Sequence, residues 1–262
     1  HEHGAMRQTD EFDDSDGIRL PPQMDDDRIT ITEALASAGY DTYGGFGHDT
    51  PFVALSGRFE THELYHTINS DAGDVFGDYF DWVDGRDQTF AFLHLADPHT
   101  PVDPPEPYRR KYEVDDSIDG LDGWRYETDI ECDTACQQYR DHRQRPYRAS
   151  VDYVDDAISE FGEKLESVFE DPLLMVTADH GEAHWEHVEF DLEHFDGSGC
   201  VDHGGTPYEA VARVPFVTNA DWDLQRPLSL IDIPTTLADI TGVNLEDCSG
   251  HSLIGDVPSD RI

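Results

Sequence analysis

The stretch Leu173 to Glu182, Leu-Leu-Met-Val-Thr-Ala-Asp-His-Gly-Glu, constrains this chain more than any other. It opens with apolar and β-branched residues and then turns abruptly polar. That is the pattern of a buried strand delivering acidic ligands at its carboxyl end. Asp179 and His180 are both metal-ligand types, and Gly181 lets the backbone turn close beside them. Asp-Gly-rich turns also follow strands that bind nothing, so the rest of the chain must decide.

Periodicity supplies the frame. Ile29 to Ala38 reads as a short helix, capped by Thr30 or Thr32, with Ile31, Leu35 and Ala38 on one face. Gly39 ends it, and Tyr40 to Phe46 follows as a strand. Gln88 to Ala96 is a second strand. It is stopped by Asp97-Pro98-His99-Thr100-Pro101, whose two prolines stiffen the loop holding His99. Residues 103–146, rich in Pro, Asp and Arg, read as an irregular insertion or substrate-side lid. Pro146 to Phe169 is the longest helix, with Tyr147, Val151, Val154, Ile158, Phe161, Leu165 and Val168 at three- and four-residue steps. Its acidic face (Asp152, Asp155, Asp156, Glu160, Glu163) is read as solvated. The strand at 173–178 leads into a polar loop from 182 to 207, a strand from Val214 to Thr218, and a helix from Ile231 to Thr241 ending at Gly242. Strands alternating with helices predict an α/β sandwich with a largely parallel sheet. In such a sheet Asp97, His99, Asp179 and His180 would meet at the strand carboxyl ends.

Charge narrows the partners. The chain has 262 residues and a formal net charge of -41, and of 17 basic residues only Lys111 and Lys164 are lysines. Acid-rich, lysine-poor surfaces suit molar salt, where the Debye length falls to roughly 3 Å and self-repulsion fades. A halophilic protein is the expectation. No basic patch is visible, which argues against nucleic acid and anionic membrane as partners. No apolar run approaches the ~20 residues of a membrane span, and a cytoplasmic location is expected. Cysteines 132, 136, 200 and 248 are too few for a disulfide framework. Cys132-x3-Cys136 could pair or bind metal, with free thiols or one local bridge favoured over zinc.

Three polar stations carry chemistry. Asp179 and His180 can hold a hard divalent cation between an anionic oxygen and a neutral nitrogen. His99 could donate to an anionic oxygen or protonate a leaving group, and His203 is a further such donor. Arg213 could face an anion, although a structural ion pair is the commoner fate of such a residue. His184 and His187 follow His180 without the His-Glu-x-x-His spacing of a zinc motif.

The order of motifs resembles the sulfatase family of the alkaline-phosphatase-like superfamily. The matching pieces are Phe92-Leu93-His94-Leu95-Ala96-Asp97-Pro98-His99-Thr100-Pro101, the helix segment from Tyr147 to Asp156, and Thr177-Ala178-Asp179-His180-Gly181-Glu182. Glu186-His187, His203-Gly204-Gly205-Thr206-Pro207-Tyr208-Glu209, Ala212-Arg213-Val214-Pro215-Phe216 and Ile231-Asp232-Ile233-Pro234-Thr235-Thr236-Leu237 follow in order, with Gly250-His251-Ser252-Leu253 closing the domain. The resemblance implies an alkaline-phosphatase-like three-layer α/β sandwich over residues 1–254, incomplete at its N-terminus, with 255–262 as a truncated tail. It implies hydrolysis of a sulfate ester, a small anionic substrate, with one divalent metal. Calcium is expected, with manganese or zinc as alternatives. Carried over by residue, Asp179 and His180 would be metal ligands, and His99 and His203 would contact the sulfate or the leaving oxygen.

The departures define what else is expected. The family's Cys/Ser-x-Pro-x-Arg motif, whose Cys or Ser becomes formylglycine, is absent, as are its paired N-terminal aspartates. The expectation is a chain that starts just after its nucleophile, with formylglycine only in an upstream segment. Removing the first strand of such a sheet would expose a strand edge and apolar surface. Gly44-Gly45-Phe46-Gly47-His48 stands where a lysine-bearing segment is usual, and Val102 replaces a tyrosine. A phosphate- or phosphonate-ester hydrolase, or a phosphoglycerol-transferase-like enzyme, of the same superfamily fits these gaps. A non-catalytic binding remnant of the fold is the third reading.

Overall fold

A reciprocal cap starts the first helix. In the computed structural model, which describes residues 28–65, 71–123, 125–126, 132–194, 201–203, 208–224, 227–246 and 248–255, Thr30 Oγ1 accepts from the Glu33 N–H at 3.3 Å. Glu33 Oε2 in turn accepts from the Thr30 N–H at 2.8 Å. Helix α1 therefore spans Ile31–Ser37, and Gly39, at φ 93°, ends it in the left-handed region. The chain forms two compact units, His1–Ala96 with Asp221–Ile262, and Asp97–Ala220.

In the first unit α1 is followed by β1 (Asp41–Phe46), α2 (Asp49–Leu55), β2 (Thr61–Leu64), α3 (Ala72–Val83) and β3 (Thr89–His94). The sheet is parallel in the order β2-β1-β3, so each connection must cross over through a helix. The central strand is buried, with Tyr43 and Phe46 almost inaccessible, as a strand covered on both faces should be. Val75, Phe76, Tyr79, Phe80 and Val83 form the buried stripe of α3, which packs on β1 and β3. The buried Tyr43 and Tyr65 hydroxyls meet at 2.9 Å, and Tyr65 donates to Asp78 at 3.0 Å, so neither polar group is stranded in the core.

The second unit departs most from sequence expectation. Helix α4 (Glu106–Lys111) interrupts the supposedly irregular insertion, and α5 runs from Thr134 to Val168, twelve residues earlier than the expected start at Pro146. Asp133 caps α5 by accepting from the Cys136 N–H at 2.9 Å. Pro146 lies inside the helix and is buried. A disulfide joins Cys132 to Cys136 across the first turn, so the local bridge is the form adopted, while Cys248 is free and exposed. Cys200 lies outside the described residues.

Strand β4 (Met175–Thr177) follows, then β5 (Ala183–His184), α6 (Val188–His194), β6 (Val201–Asp202), α7 (Glu209–Ala212) and β7 (Phe216–Thr218). β4 pairs with β7, and β5 with β6, both antiparallel. The expected polar loop at 182–207 thus contains a short ribbon and a helix, and parallel pairing among the described residues is confined to the first unit. Leu121, Tyr139, Trp185 and Val201 form a core cluster that anchors this ribbon against α5. The chain then returns to the first unit with α8 (Asp232–Thr241), which ends at Gly242 with φ 71° and packs against α1. Asp232 is wholly buried and accepts from the N–H groups of Ser229 (3.0 Å) and His251 (2.8 Å). The closing segment is thereby pinned. The parallel sheet with crossover helices makes this an α/β fold, and no described helix is long and apolar enough to cross a membrane.

Candidate functional site

His99, Asp179, His180 and His203 all belong to the second unit. β4 ends at Thr177 and delivers Asp179 and His180 into the following loop. Gly181 is required there for space. Its N–H donates to Val211 O at 2.7 Å, and a Cβ would lie 2.0 Å from Ala210 O. The glycine admits a close backbone approach and not a left-handed turn, since Gly181 is not among the residues with positive φ.

This loop orients its two ligand-type side chains. The Asp179 Oδ1 accepts from the His180 N–H at 3.0 Å, and His180 Nδ1 donates to Gly181 O at 2.9 Å. The carbonyl acceptor fixes the tautomer, leaving the lone pair on Nε2. That nitrogen lies 3.6 Å from Asp179 Oδ2. Metal–ligand bonds of about 2.1–2.5 Å place neighbouring ligands roughly 3–3.5 Å apart, so the pair fits one divalent cation with a small closure. Asp179 is exposed enough to receive it.

His203 leaves β6 beside two carboxylates. Asp202 sits at φ 74°. Its Oδ1 accepts the His203 backbone N–H at 2.6 Å and also touches the ring Nδ1. Glu182 Oε1 is 3.6 Å from the same nitrogen and its side chain is only 7% exposed. Asp202 first, then Glu182, push the imidazole up to about 10. Burial opposes ionisation of Asp202, yet the bonds from His203 hold its carboxyl below the usual range. The direction of both shifts favours a carboxylate–imidazolium pair, with Nδ1 lying against Asp202. Glu182, Asp202 and His203 also bring one ligand-type atom each within 4.8 Å of one another, and could hold a cation if that proton were displaced.

The rings converge. The His203 ring stacks on His180 with centroids 3.8 Å apart, and His99 lies 5.7 Å from it on another side. His99 Nδ1 donates to Thr100 O at 2.7 Å. The residues flanking His99 are held from α5, where Ser150 Oγ donates to Asp97 O at 2.7 Å and Arg143 Nη2 donates to Thr100 Oγ1 at 3.0 Å.

All four expected site residues, His99, Asp179, His180 and His203, therefore come together. Arg213 does not. It is exposed at the end of α7, and its guanidinium makes no ion pair among the described residues. His184 faces the Tyr147 ring at 5.0 Å; burial first, then Arg143 and Arg148, push it down to about 4, so it is a neutral core imidazole. His187 packs on Tyr208 at 4.2 Å. Gly204 to Pro207 lie outside the described residues. Glu182, Asp202 and Arg143 are partners that sequence patterning assigns no role. The adjacency of Asp202 to His203 is the one signal that could have indicated it.

Known proteins share this fold. The solved structure of BT4656 in complex with its substrate D-glucosamine-2-N,6-O-disulfate superposes with a TM-score of 0.60 at 15% identity, covering 91% of this chain and 67% of that one. The C-terminal periplasmic domain of EcEptC from Escherichia coli gives 0.59 at 13% identity, covering 88% and 66%. The lipoteichoic acid synthase LtaP from Listeria monocytogenes gives 0.53 at 16%, covering 88% and 56%. At such identities these likenesses speak to the fold alone, and they define the class as an α/β protein sharing the fold of these three structures. The chain belongs to the sulfatase family, whose model matches residues 1–243. The arylsulfatase of Clostridium perfringens (strain 13 / Type A) is 26% identical over 216 residues, 71% of this chain and 41% of that relative. The chain thus spans about two fifths of the relative's length.

Proposed function

We propose that this site binds and helps hydrolyse a sulfate ester, with one divalent cation held by Asp179 and His180. The observation that carries the reading is the meeting of His180, His203 and His99 beside Asp179. It joins a cation-ligating pair to two anion donors. Asp179 supplies charge and His180 a lone pair on Nε2. His203, charged through Asp202 and Glu182, presents its other ring N–H to a sulfate oxygen. His99, aligned by its bond to Thr100 O, contacts the sulfate or protonates the leaving oxygen. A bound divalent cation would offset the charge of the ester oxygens; calcium is proposed, with manganese or zinc as alternatives.

A second reading, a phosphate- or phosphonate-ester hydrolase or a phosphoglycerol-transferase-like enzyme, is favoured by the comparable likeness to LtaP and EcEptC. Calorimetric titration of inorganic sulfate and phosphate, each with Ca2+ or Mn2+, separates them. Sulfate bound more tightly than phosphate, and lost in D179A and H203Q, supports the first reading. Phosphate preference transfers the site to the second. Binding of neither anion, or binding indifferent to both substitutions, removes the proposal.

A further inference from the structure

We infer that Arg143 is a positioning residue that ties the donor imidazole of His99 to one face of α5. This rests on the reading of that ring as an anion donor. Cys136, Tyr139, Arg143, Pro146 and Ser150 recur at three- and four-residue steps and are all buried. They form the stripe by which the first half of α5 meets the rest of its unit. A guanidinium in the middle of such a stripe, only 1% exposed, is costly to bury unless its donors are used.

One of its partners lies beside the site. Nη2 donates to Thr100 Oγ1 at 3.0 Å, one residue after His99, while Thr100 O receives the His99 ring proton at 2.7 Å. Ser150, two turns further along the same stripe, holds Asp97 O at 2.7 Å. His99 is therefore clamped on both sides from one helix. The planar, forked guanidinium meets the Thr100 hydroxyl in a fixed direction, which a flexible lysine ammonium does not.

The test uses the full chain labelled with 15N-histidine, as wild type, R143M, R143K and T100V, with the two ring signals assigned through H99Q and H203Q. Imidazole resonances are recorded in metal-free protein well below the melting point of every variant. Inorganic sulfate is then titrated calorimetrically in Ca2+. T100V should move the His99 signals and leave those of His203 in place. R143M should move the His99 ring signals and weaken sulfate binding on the order of tenfold, as a displaced donor does. R143K should recover less than half of that loss. A folded R143M with the His99 ring at its wild-type resonances overturns the inference. Should R143M fail to fold, T100V decides, and an unmoved His99 overturns it equally. If the wild type binds no sulfate, the functional reading fails, and the ring signals still decide the role of Arg143.

Discussion

His180 and His203 stack with ring centroids 3.8 Å apart and planes inclined at 21°. The two rings are prepared for opposite tasks by their neighbours. His180 spends its Nδ1 proton on Gly181 O and turns a lone pair toward Asp179. His203 is flanked at Nδ1 by Asp202 and Glu182 and carries the positive charge. On the proposed reading a cation ligand and an anion donor share one ring-to-ring contact, which suits a site where metal and ester oxygens must lie side by side.

The charge on His203 makes stability depend on pH in a defined direction. Folding raises this imidazole from its ordinary 6.5 to about 10. The stabilisation it provides is fully present below 6.5 and is lost as pH rises through 10. In metal-free protein, the unfolding free energies of wild type and H203Q should converge over that interval in urea titrations. A gap that stays constant from 6.5 to 10 contradicts the pairing.

Divalent cations should stabilise the chain through Asp179 and His180. At a concentration one hundred times its Kd, a cation that binds only the folded state adds about 2.7 kcal/mol. Thermal melts with and without Ca2+ should separate for the wild type and coincide for D179A. Wild-type melts that ignore both Ca2+ and EDTA exclude this ligand pair. Parallel melts with Mn2+ and Zn2+ rank the metals.

Gly181→Ala should be among the most damaging single-methyl changes. The added Cβ would meet Ala210 O at 2.0 Å, and backbone on both sides must shift. A cost of about 3 kcal/mol, at the upper end of overpacking penalties, is expected. Cation stabilisation should disappear with it, because the displaced loop carries Asp179 and His180. A G181A protein with wild-type stability and cation response would show that the loop has room.

The formal charge of -41 leads to a proposal about salt. Raising KCl from 0.1 to 2 M shortens the screening length from about 10 Å to under roughly 3 Å and should raise the melting temperature. Differential scanning calorimetry across that range checks it. Equal, reversible melting at both ends counts against halophilic adaptation.

Elements whose signals are local are legible in the sequence. α1 announces itself through Thr30 and Glu33, and α8 through Gly242. The first half of α5 is not legible, because its buried stripe contains Arg143 and Pro146, which by residue type mark a surface and a boundary. α3 carries a clear stripe from Ala72 to Val83 behind an Asp71 cap, so its signal is present in a stretch for which patterning assigns no element. At the site, the four motif residues are visible because histidines and the Asp-His-Gly turn are rare features. Glu182 and Asp202 are not, because they are two carboxylates among 58. Only the fold shows which acids face an imidazole.

Asp202 combines two demands seldom made of one position. Its backbone, at φ 74°, readily admits glycine, asparagine or aspartate and penalises other residues. Its carboxylate is what charges His203, and of those three only aspartate supplies one. Exchange for glutamate keeps the acid and strains the chain, while exchange for asparagine keeps the chain and discharges the ring. The alphabet at this position is a single letter, written once by sterics and again by electrostatics.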